Sequence, residues 1–538
     1  MVRNISRREV LQLGAAVGAG AIGLGTQVES VTAASDRYIV DTSTAADDSW
    51  KQGVEVVHEF PEINFAAVEG SSTALSSVRH QPDLEITYDL PEEASPDALS
   101  GDNGDARSAY QWDKQAQNAF DVHDAGYTGE GAKIAIIDTG IAGDHSDLAP
   151  NFNAEESIST AGGGIDGEPE YYDIDSHGTH CAGIAAAADN GGGIVGVAPD
   201  AEIVGIRVFG GEFAYGSDII AGQMHAVEVG CDVGNLSLGG YPYPQGLDTQ
   251  LSKEMDERAA TYGLENGCLF VAAAGNDDSN LDNDGDVLSL PNQADGYMSV
   301  SATGPSGFNP GMDLEDVPLP THAPSFFTNY GENAIDVSAA GGNVTYPLRP
   351  GYANDLVYST VPEDTWSWKA GTSMAAPQVA GLVALVKAEN PDATPERIQY
   401  HIKRTADQIN DVEYQAAEYI QPDAEWDFGN GVLEDAYSSP LYRGSGHIDV
   451  EQAAMEPVPF PQPLSVDGHT IAPRDPDGDG QFEDINGDGT VDMEDVNALF
   501  ALLMSGPSLT ATEEQALDFN GDGSFDQFDV QALLDIVR

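Results

Sequence analysis

Short apolar runs recur along this chain, and their pattern changes between its beginning and its middle. Between residues 36 and 90 apolar and polar positions alternate, as in Tyr38-Ile39-Val40 and Leu84-Glu85-Ile86. Alternation with a period of two predicts short β-strands that bury one face. We expect these strands to surround one or two helices, which gives a small α/β unit.

From Tyr110 to about Ala454 the apolar runs become continuous and are separated by stretches with helical periodicity. The clearest runs are 134–137, 203–206 and 269–273. Strands that are apolar at every position suit a parallel sheet covered on both faces by helices. This region therefore predicts an α/β fold of that kind.

Breaker-rich segments divide the chain. Residues 91–108 are rich in Pro, Gly and Asp, which predicts an exposed linker and a cleavage region. Five prolines between 457 and 474 predict a semi-rigid spacer. We therefore expect five units, with boundaries at 1–34, 35–100, 101–456, 457–474 and 475–538.

Acidic residues dominate the composition. The 538 residues include 90 Asp and Glu but only 21 Lys and Arg, so the formal charge is −69. This excludes nucleic acid and anionic membrane surfaces as natural partners, because both are bound through clustered cations. Molar salt shortens the screening length to about 3 Å and so suppresses self-repulsion. We expect adaptation to a hypersaline medium; an acidic protein of an ordinary habitat is the alternative.

Residues 1–34 have the layout of an export signal. Arg7 and Arg8 precede a Gly/Ala-rich apolar stretch from Leu11 to Gly25, and Thr32-Ala33-Ala34 offers a small-residue cleavage site. This order predicts secretion by the twin-arginine route. The apolar stretch is too short and too rich in glycine for a membrane span. We expect an extracellular protein without a membrane span.

Three motifs further along the chain carry candidate chemistry. Asp138 directly follows a buried strand, His177 opens His-Gly-Thr-His-Cys-Ala-Gly, and Ser373 lies in Gly-Thr-Ser-Met-Ala-Ala-Pro. A serine hydroxyl needs a base before it can attack, and an imidazole held by a buried carboxylate supplies one. Taken singly, Asp138 could be a turn residue, and His177 with His180 could be a metal pair.

In the order Asp, His, Ser, these motifs resemble the subtilisin-like serine proteases, the subtilases, including their halophilic, halolysin-like members. The resemblance runs from Tyr110 to about Ala454. It implies that Ser373 is the nucleophile, His177 the general base and acid, and Asp138 the carboxylate that orients the imidazole. It also implies that Asn276, at the end of Ala-Ala-Ala-Gly-Asn, donates a hydrogen bond to the oxyanion.

The resemblance extends to substrate binding and maturation. Ser237-Leu238-Gly239 is similar to the edge strand that pairs with an extended polypeptide substrate. Residues 36–90 resemble the inhibitory propeptide, which implies a zymogen with a propeptide over 35–100. Cys181 matches a cysteine present in a subgroup of subtilases, so thiol reagents are expected to inhibit by crowding His177.

Cys231 and Cys268 each stand at the start of an apolar run. If the two runs are neighbouring parallel strands, the cysteines either pair or remain two buried thiols.

Calcium is implied at one place in the central region. Asp147 and the loop that contains Asn190 resemble the two parts of a subtilase calcium site, where side-chain and backbone oxygens form the shell. Ordinary surface loops are the alternative. The acidic stretch 282–286 is a weaker candidate, and the segments 308–325 and 344–368 resemble insertions of unknown role.

Two loops with the spacing of EF-hand calcium loops occupy the C-terminal unit. The oxygen-bearing residues of the first are Asp484, Asn486, Asp488, Thr490, Asp492 and Asp495. Those of the second are Asp518, Asn520, Asp522, Ser524, Asp526 and Asp529. Ligands at these offsets converge on one Ca²⁺. Each loop leads into an amphipathic helix, and such duplicated halves resemble a dockerin.

Cohesin-binding dockerins often carry Ser-Thr at loop positions 10 and 11, where this chain has Met493-Glu494 and Gln527-Phe528. Docking to a cohesin-like partner therefore competes with a purely structural calcium module. Overall, the sequence predicts a monomeric, secreted, Ca²⁺-dependent subtilisin-like endopeptidase. The alternative is a catalytically silent subtilase-like scaffold that acts through its dockerin-like module.

Overall fold

The computed structural model describes residues 27–89, 108–211, 213–244, 247–283, 287–344, 351–407, 440–466, 469–476 and 480–538. The twin-arginine motif and most of the breaker stretch 91–108 lie outside these residues. Among the described residues, no helix has both the length and the apolar character needed to cross a membrane.

The N-terminal unit is an antiparallel sheet. Its strands are β1 Gln27–Asp41, β2 Val54–Phe60, β3 Phe65–Gly70 and β4 Arg79–Asp89, in the order β2-β3-β1-β4. The strand predictions are confirmed, and β1 also includes the candidate cleavage site at 32–34. The predicted helices are, within residues 27–89, only the two 3₁₀ turns Thr42–Thr44 and Asp48–Lys51. The connecting segments are short and rich in Ser, Thr and Asp, which compete with helical hydrogen bonding.

The large domain is built on a seven-stranded sheet with the order β14-β13-β11-β9-β5-β7-β6. The strands of this domain are β5 Lys133–Asp138, β6 Ile158–Ser159, β7 Glu202–Arg207, β8 Phe213–Tyr215, β9 Val233–Leu236, β10 Gly240–Pro244, β11 Leu269–Ala273, β12 Val287–Leu290, β13 Met298–Thr303, β14 Val337–Ala340, β15 Val357–Val361 and β16 Thr365–Lys369. Neighbours in the large sheet are parallel, with Ile134 opposite Ile203 and Leu269 opposite Val233. The three predicted apolar runs thus form β5, β7 and β11.

Helices cover both faces of this sheet, as the sequence predicts. They are α1 Trp112–Ala116, α2 Ala119–Asp124, α3 His177–Ala186, α4 Gly216–Glu228, α5 Leu247–Glu265, α6 Thr372–Glu389, α7 Pro395–Thr405, α8 Pro440–Arg443 and α9 Val450–Met455. Ile134 and Ile136 of β5 face the core formed with α3 and α6. Ala135 and Ile137 face the opposite core, formed with α4 and α5.

The N-terminal sheet docks on this second group of helices. β8 of the large domain pairs with β4, with Ile86 opposite Ala214, so the sheet gains a fifth strand. Phe60 and Phe65 pack with Leu251 of α5 in a common apolar core. The two units therefore share both a sheet and a core.

The C-terminal unit contains the hairpin β17 Leu464–Val466 and β18 His469–Ile471, followed by α10 Met493–Ser505, α11 Ala511–Ala516 and α12 Gln527–Val537. The preceding segment, which its prolines predict to be a semi-rigid spacer, packs on α7. Phe460 is fully buried, and Arg397 of α7 donates to the carbonyl oxygens of Pro459 and Pro473, both at 2.8 Å. The buried Arg397 guanidinium therefore ties both ends of the segment to α7.

Candidate active site

The end of β5 places a carboxylate beneath the cleft of the large domain. Asp138 is the last residue of this strand and is 1% exposed. Its Oδ1 accepts a hydrogen bond from the backbone N–H of Thr139 at 2.7 Å. Ligand sites in α/β sheets lie at the carboxyl ends of the strands, and Asp138 has this position.

His177 is the first residue of α3 and lies beside this carboxylate. Its Nδ1 is 2.8 Å from Asp138 Oδ1, and both side chains are buried. Burial acts to lower the pKa of His177, but the charge of Asp138 opposes it, and the net pKa is raised well above the ordinary value. The outer nitrogen, Nε2, is buried and has no hydrogen-bond partner among the described residues. It is therefore available to accept a proton.

Ser373 is the second residue of α6 and is 3% exposed. Its hydroxyl donates to the carbonyl oxygen of Ser237 at 3.1 Å rather than to His177. A rotation of the Ser373 side chain is therefore needed before the hydroxyl can pass its proton to the imidazole. Loose contacts of this kind are common in free enzymes and tighten when substrate binds.

Asn276 follows β11 at the rim of the same cleft. Its Oδ1 accepts hydrogen bonds from the Thr372 backbone N–H at 2.9 Å and from the Thr372 hydroxyl at 3.0 Å. Since these bonds fix the oxygen, the Nδ2 amide group is the end left to donate. Asn276, Ser373 and the segment 237–241 line one cleft, together with Ala273, Gly275, Asp277, Ser289 and Thr372. The predicted substrate-binding residues Ser237, Leu238 and Gly239 follow the end of β9 and form one wall.

Cys181 lies one turn after His177 on α3. Its Sγ is 3.9 Å from His177 Nδ1 and donates to the carbonyl oxygen of Ser373 at 3.4 Å. The side chain is fully buried, and burial raises the pKa of the thiol. The predicted proximity to His177 is therefore present.

The second histidine of the motif, His180, points elsewhere. Its Nε2 lies 3.1 Å from the carbonyl oxygen of Ser367, and burial lowers its pKa well below the ordinary value. Within the described residues, the one cluster of three or more potential metal ligands is Asp138, His177 and Cys181. His180 is not part of this cluster.

Cys231 and Cys268 are buried free thiols in this structure. Cys231 lies two residues before β9 and Cys268 immediately before β11, and these are adjacent parallel strands as the disulfide alternative requires. Burial raises the pKa of both thiols.

The hairpin β15–β16, which overlaps the predicted insertion 344–368, packs against α3. The Ser359 hydroxyl donates to the carbonyl oxygen of His180 at 2.7 Å, and the Thr360 hydroxyl donates to that of Thr179 at 2.8 Å. Sequence reasoning missed this contact because no motif marks the hairpin. Sequence reasoning also missed Asp173, a buried carboxylate in the loop before α3. Asp173, Asp175 and Ser176 together form a pattern that is typical of helix starts, so nothing in the sequence marks Asp173 as functional.

The residues proposed for a calcium site in the large domain lie side by side, with Asn190 Nδ2 at 3.5 Å from Asp147 Oδ1. Asp147 Oδ2 accepts hydrogen bonds from the Ile194 N–H at 2.9 Å and from the Trp366 indole N–H at 2.8 Å. Asn190 turns its Nδ2 donor toward the Ser146 carbonyl oxygen at 3.0 Å. The bonds from Ile194 and Trp366 engage only one of the carboxylate oxygens of Asp147. A calcium site at Asp147 and Asn190 stays a prediction.

The two C-terminal loops do fit a calcium ion. In the first, Asp484 accepts backbone N–H bonds from Gly487 at 2.8 Å and Gly489 at 2.9 Å, and Asp495 closes the loop on Asn486 N–H at 3.1 Å. Burial, followed by the charges of Asp484 and Asp488, raises the pKa of Asp495.

In the second loop Asp518 accepts the Gly523 N–H at 2.7 Å and Asp529 accepts the Asn520 N–H at 3.2 Å. Burial, followed by the charges of Asp518 and Asp526, raises the pKa of Asp529. Buried carboxylates that repel one another are the donor set that a hard cation neutralises.

The family model for the subtilase family matches residues 129–431, more than half of the chain. The chain belongs to the subtilase family. This subtilase is 32% identical to M-protease of Shouchella clausii over 354 residues, which cover 66% of this chain and 77% of that one. It is 33% identical to thermitase of Thermoactinomyces vulgaris over 305 residues, which cover 55% and 87% of the two chains. A second family model, the dockerin type I domain, matches residues 482–535.

Solved structures show the same fold. The epidermin leader peptide processing serine protease of Staphylococcus aureus matches with a TM-score of 0.58 and 22% identity, covering 78% of this subtilase and 97% of that chain. Fervidolysin from Fervidobacterium pennivorans, a keratinolytic enzyme related to subtilisin, matches with a TM-score of 0.55 and 23% identity, covering 82% and 64%. The protein is thus a subtilase-family serine protease with a dockerin domain.

Proposed function

We propose that this subtilase is a secreted endopeptidase adapted to high salt, which cleaves extended polypeptides through Asp138, His177 and Ser373. One observation carries the proposal. The buried Asp138 holds His177 Nδ1 at 2.8 Å, and Nε2 has no partner among the described residues. Cys181 Sγ meanwhile lies 3.9 Å from His177 Nδ1 and 3.4 Å from the Ser373 carbonyl oxygen. A carboxylate, an imidazole and a hydroxyl in this order form the relay that activates a serine nucleophile.

The reaction would proceed in two displacements. Ser373 Oγ turns from Ser237 to His177 Nε2, transfers its proton there, and forms a bond to the scissile carbonyl carbon. The carbonyl oxygen becomes an anion that accepts a hydrogen bond from Asn276 Nδ2. The C–N bond then breaks, and the leaving amine takes the proton from His177. Water repeats these steps on the acyl-enzyme and restores Ser373.

The N-terminal sheet has the properties expected of a propeptide over 35–100. It is held on the large domain by a buried ionic network, in which Arg37 contacts Asp83 at 3.2 Å and also Asp218 of α4. His58 Nε2 lies 2.7 Å from the same Asp218. These contacts support an inhibitory unit that stays bound until it is degraded.

The alternative is a catalytically silent scaffold, and covalent labelling distinguishes the two. The full chain, refolded in molar KCl with calcium, would be treated with a sulfonyl fluoride, mapped by mass spectrometry and assayed on casein. We expect one adduct, on Ser373, and parallel loss of casein digestion. A folded chain that neither labels nor digests casein would establish the scaffold.

Replacement of Asn276 by Ala is expected to lower kcat by about 100- to 1,000-fold, because the oxyanion loses a preorganised donor. KM should stay within about threefold of the wild type, since a ground-state peptide does not need this bond. Steady-state kinetics on a chromogenic peptide measures both constants. An unchanged kcat in a folded variant would remove Asn276 from the oxyanion site.

Thiol modification should inhibit through Cys181. A mercurial that replaces the thiol proton would place a metal atom next to His177 Nδ1, where Sγ already lies at 3.9 Å. We expect loss of activity in proportion to mercury bound, and resistance in Cys181→Ala, which retains Cys231 and Cys268 as internal controls. Full activity after mass-confirmed modification of Cys181 would contradict the prediction.

We further propose that the C-terminal module binds one Ca²⁺ in each loop. A cohesin-like partner is the second candidate function, because large apolar side chains are exposed on the module. Met493 is 47%, Phe500 53%, Met504 69% and Phe528 59% exposed. Spacings of seven and four residues place Met493, Phe500 and Met504 on one face of α10. An apolar face of this kind suits a partner better than solvent.

Chelation of calcium should destabilise the module in the full chain. Free calcium at 100 times the dissociation constant adds about 2.7 kcal/mol per site to the free energy of unfolding. Excess EGTA should therefore lower the temperature of the thermal transition of the module. Asp484→Ala should remove the response of the first site, while Asp535→Ala, an exposed acid outside both loops, should keep it. Calorimetry with and without calcium measures the shift, and identical scans would contradict calcium binding.

A further inference from the structure

A carboxylate outside the proposed triad connects the segments that carry Asp138 and His177. Asp173 is 2% exposed and lies in the loop before α3. Its Oδ1 accepts a hydrogen bond from the Thr139 hydroxyl at 2.8 Å. The Thr139 oxygen in turn accepts a bond from the Gly178 N–H at 2.9 Å. Thr139 follows Asp138 and Gly178 follows His177, so these bonds join the strand end to the helix start.

The same carboxylate also fixes the first turn of α3. It accepts backbone N–H bonds from Asp175 and Ser176 at 3.0 Å each and from Thr179 at 2.9 Å. Ser176, which immediately precedes His177, has a φ of +138°. A residue other than glycine is strained there and persists only where its surroundings impose it. The bonds to Asp173 supply that constraint directly before the catalytic imidazole.

We propose that Asp173 is a positioning residue that sets the geometry of the Asp138–His177 pair. The 2.8 Å contact between these side chains depends on how a strand end and a helix start lie relative to each other. Asp173 is bonded to both segments, so its loss lets Ser176 relax and His177 turn. Small misplacements of reacting groups cost up to about 100-fold in rate. This inference rests on the proposed peptidase function.

A positioning role can be separated from ordinary helix capping. The bonds that Asp173 accepts from the N–H groups of Asp175, Ser176 and Thr179 belong to the helix start. The bond that it accepts from the Thr139 hydroxyl connects it to the end of β5. Thr139→Val removes that bond, together with the bond from the Gly178 N–H to the Thr139 oxygen, and keeps the three backbone N–H bonds that Asp173 accepts. Thr139→Ser keeps the hydroxyl and serves as the conservative rescue.

The experiment compares Asp173→Asn, Thr139→Val and Thr139→Ser in the full chain after processing. We expect the first two to lower kcat by about 10- to 100-fold with KM within about twofold, and Thr139→Ser to restore it. The low-field proton resonance of the His177–Asp138 hydrogen bond should shift or broaden in the first two variants alone. The matched control is Asp355→Asn, another buried carboxylate, which accepts N–H bonds from Gly307 and Phe308.

The outcomes are distinct. If Thr139→Val keeps the wild-type kcat and resonance while Asp173→Asn lowers only the unfolding temperature, Asp173 is a helix cap and the inference is overturned. If Asp355→Asn moves the resonance equally, the effect is general destabilisation and the inference is likewise overturned. If the wild type shows no Ser373-dependent hydrolysis, the peptidase proposal fails instead, and the resonance alone decides the role of Asp173.

Discussion

Ser373→Ala is expected to lower kcat by about a million-fold, the largest loss that any single substitution in this chain should produce. The variant has no Oγ to form the acyl-enzyme, so it retains only the rate enhancement of the oxyanion site and of substrate binding. It should also keep the 35–100 unit attached, because self-cleavage requires the same hydroxyl. Gel analysis of maturation and single-turnover hydrolysis measure the two effects.

The matched control for this variant is Ser338→Ala. Ser338 is also a fully buried serine of the large domain, but its hydroxyl contacts His447 on the β14 side. We expect this control to mature and to hydrolyse casein within a few-fold of the wild type. Maturation of Ser373→Ala at the normal rate, in a preparation free of other proteases, would show that another group performs the cleavage.

Asp138→Asn is expected to lower kcat by about 10,000-fold at neutral pH. The amide can present an N–H to His177 Nδ1, which favours the wrong imidazole tautomer and leaves Nε2 protonated. The charge of Asp138 also raises the pKa of His177, and only the neutral imidazole acts as base. In the wild type, activity should therefore rise with pH through a midpoint above the ordinary histidine value.

Loss of the Asp138 charge should lower the pKa of His177 and so move this midpoint to lower pH. The wrong imidazole tautomer should lower kcat at every pH, so the two effects of Asp138→Asn can be measured separately. The pH dependence of kcat/KM measures the first, and the residual kcat on the plateau measures the second. Asp355→Asn should keep both the midpoint and the plateau. An Asp138→Asn variant with a wild-type plateau would show that His177 does not depend on this carboxylate.

The parts of this architecture that sequence reasoning could predict are those with local signatures. Continuous apolar runs marked β5, β7 and β11, because a buried parallel strand has no polar face. The motifs around Asp138, His177 and Ser373 could be singled out because the proposed relay requires those residue types. The C-terminal loops could be singled out because a calcium loop of this type fixes the spacing of its oxygen ligands.

The missed parts depend on contacts between distant segments. Asp173 looks like a helix cap, and its bond to Thr139 exists only once β5 and α3 meet. Trp366 donates to Asp147 from a hairpin more than 200 residues later, and no pattern near Asp147 marks this contact. The prolines of 457–474 predict stiffness correctly, but they do not reveal that Arg397 binds two of their carbonyl groups.

The fifth strand of the N-terminal sheet has a consequence for the matured enzyme in solution. Removal of the 35–100 unit would leave β8 with an open hydrogen-bonding edge next to the apolar faces of α4 and α5, and such edges invite self-association. The edge is only three residues long, and the chain around it is strongly acidic. At low salt, loss of the folded protein should occur through unfolding driven by charge repulsion. At very high salt it should occur through aggregation along this edge.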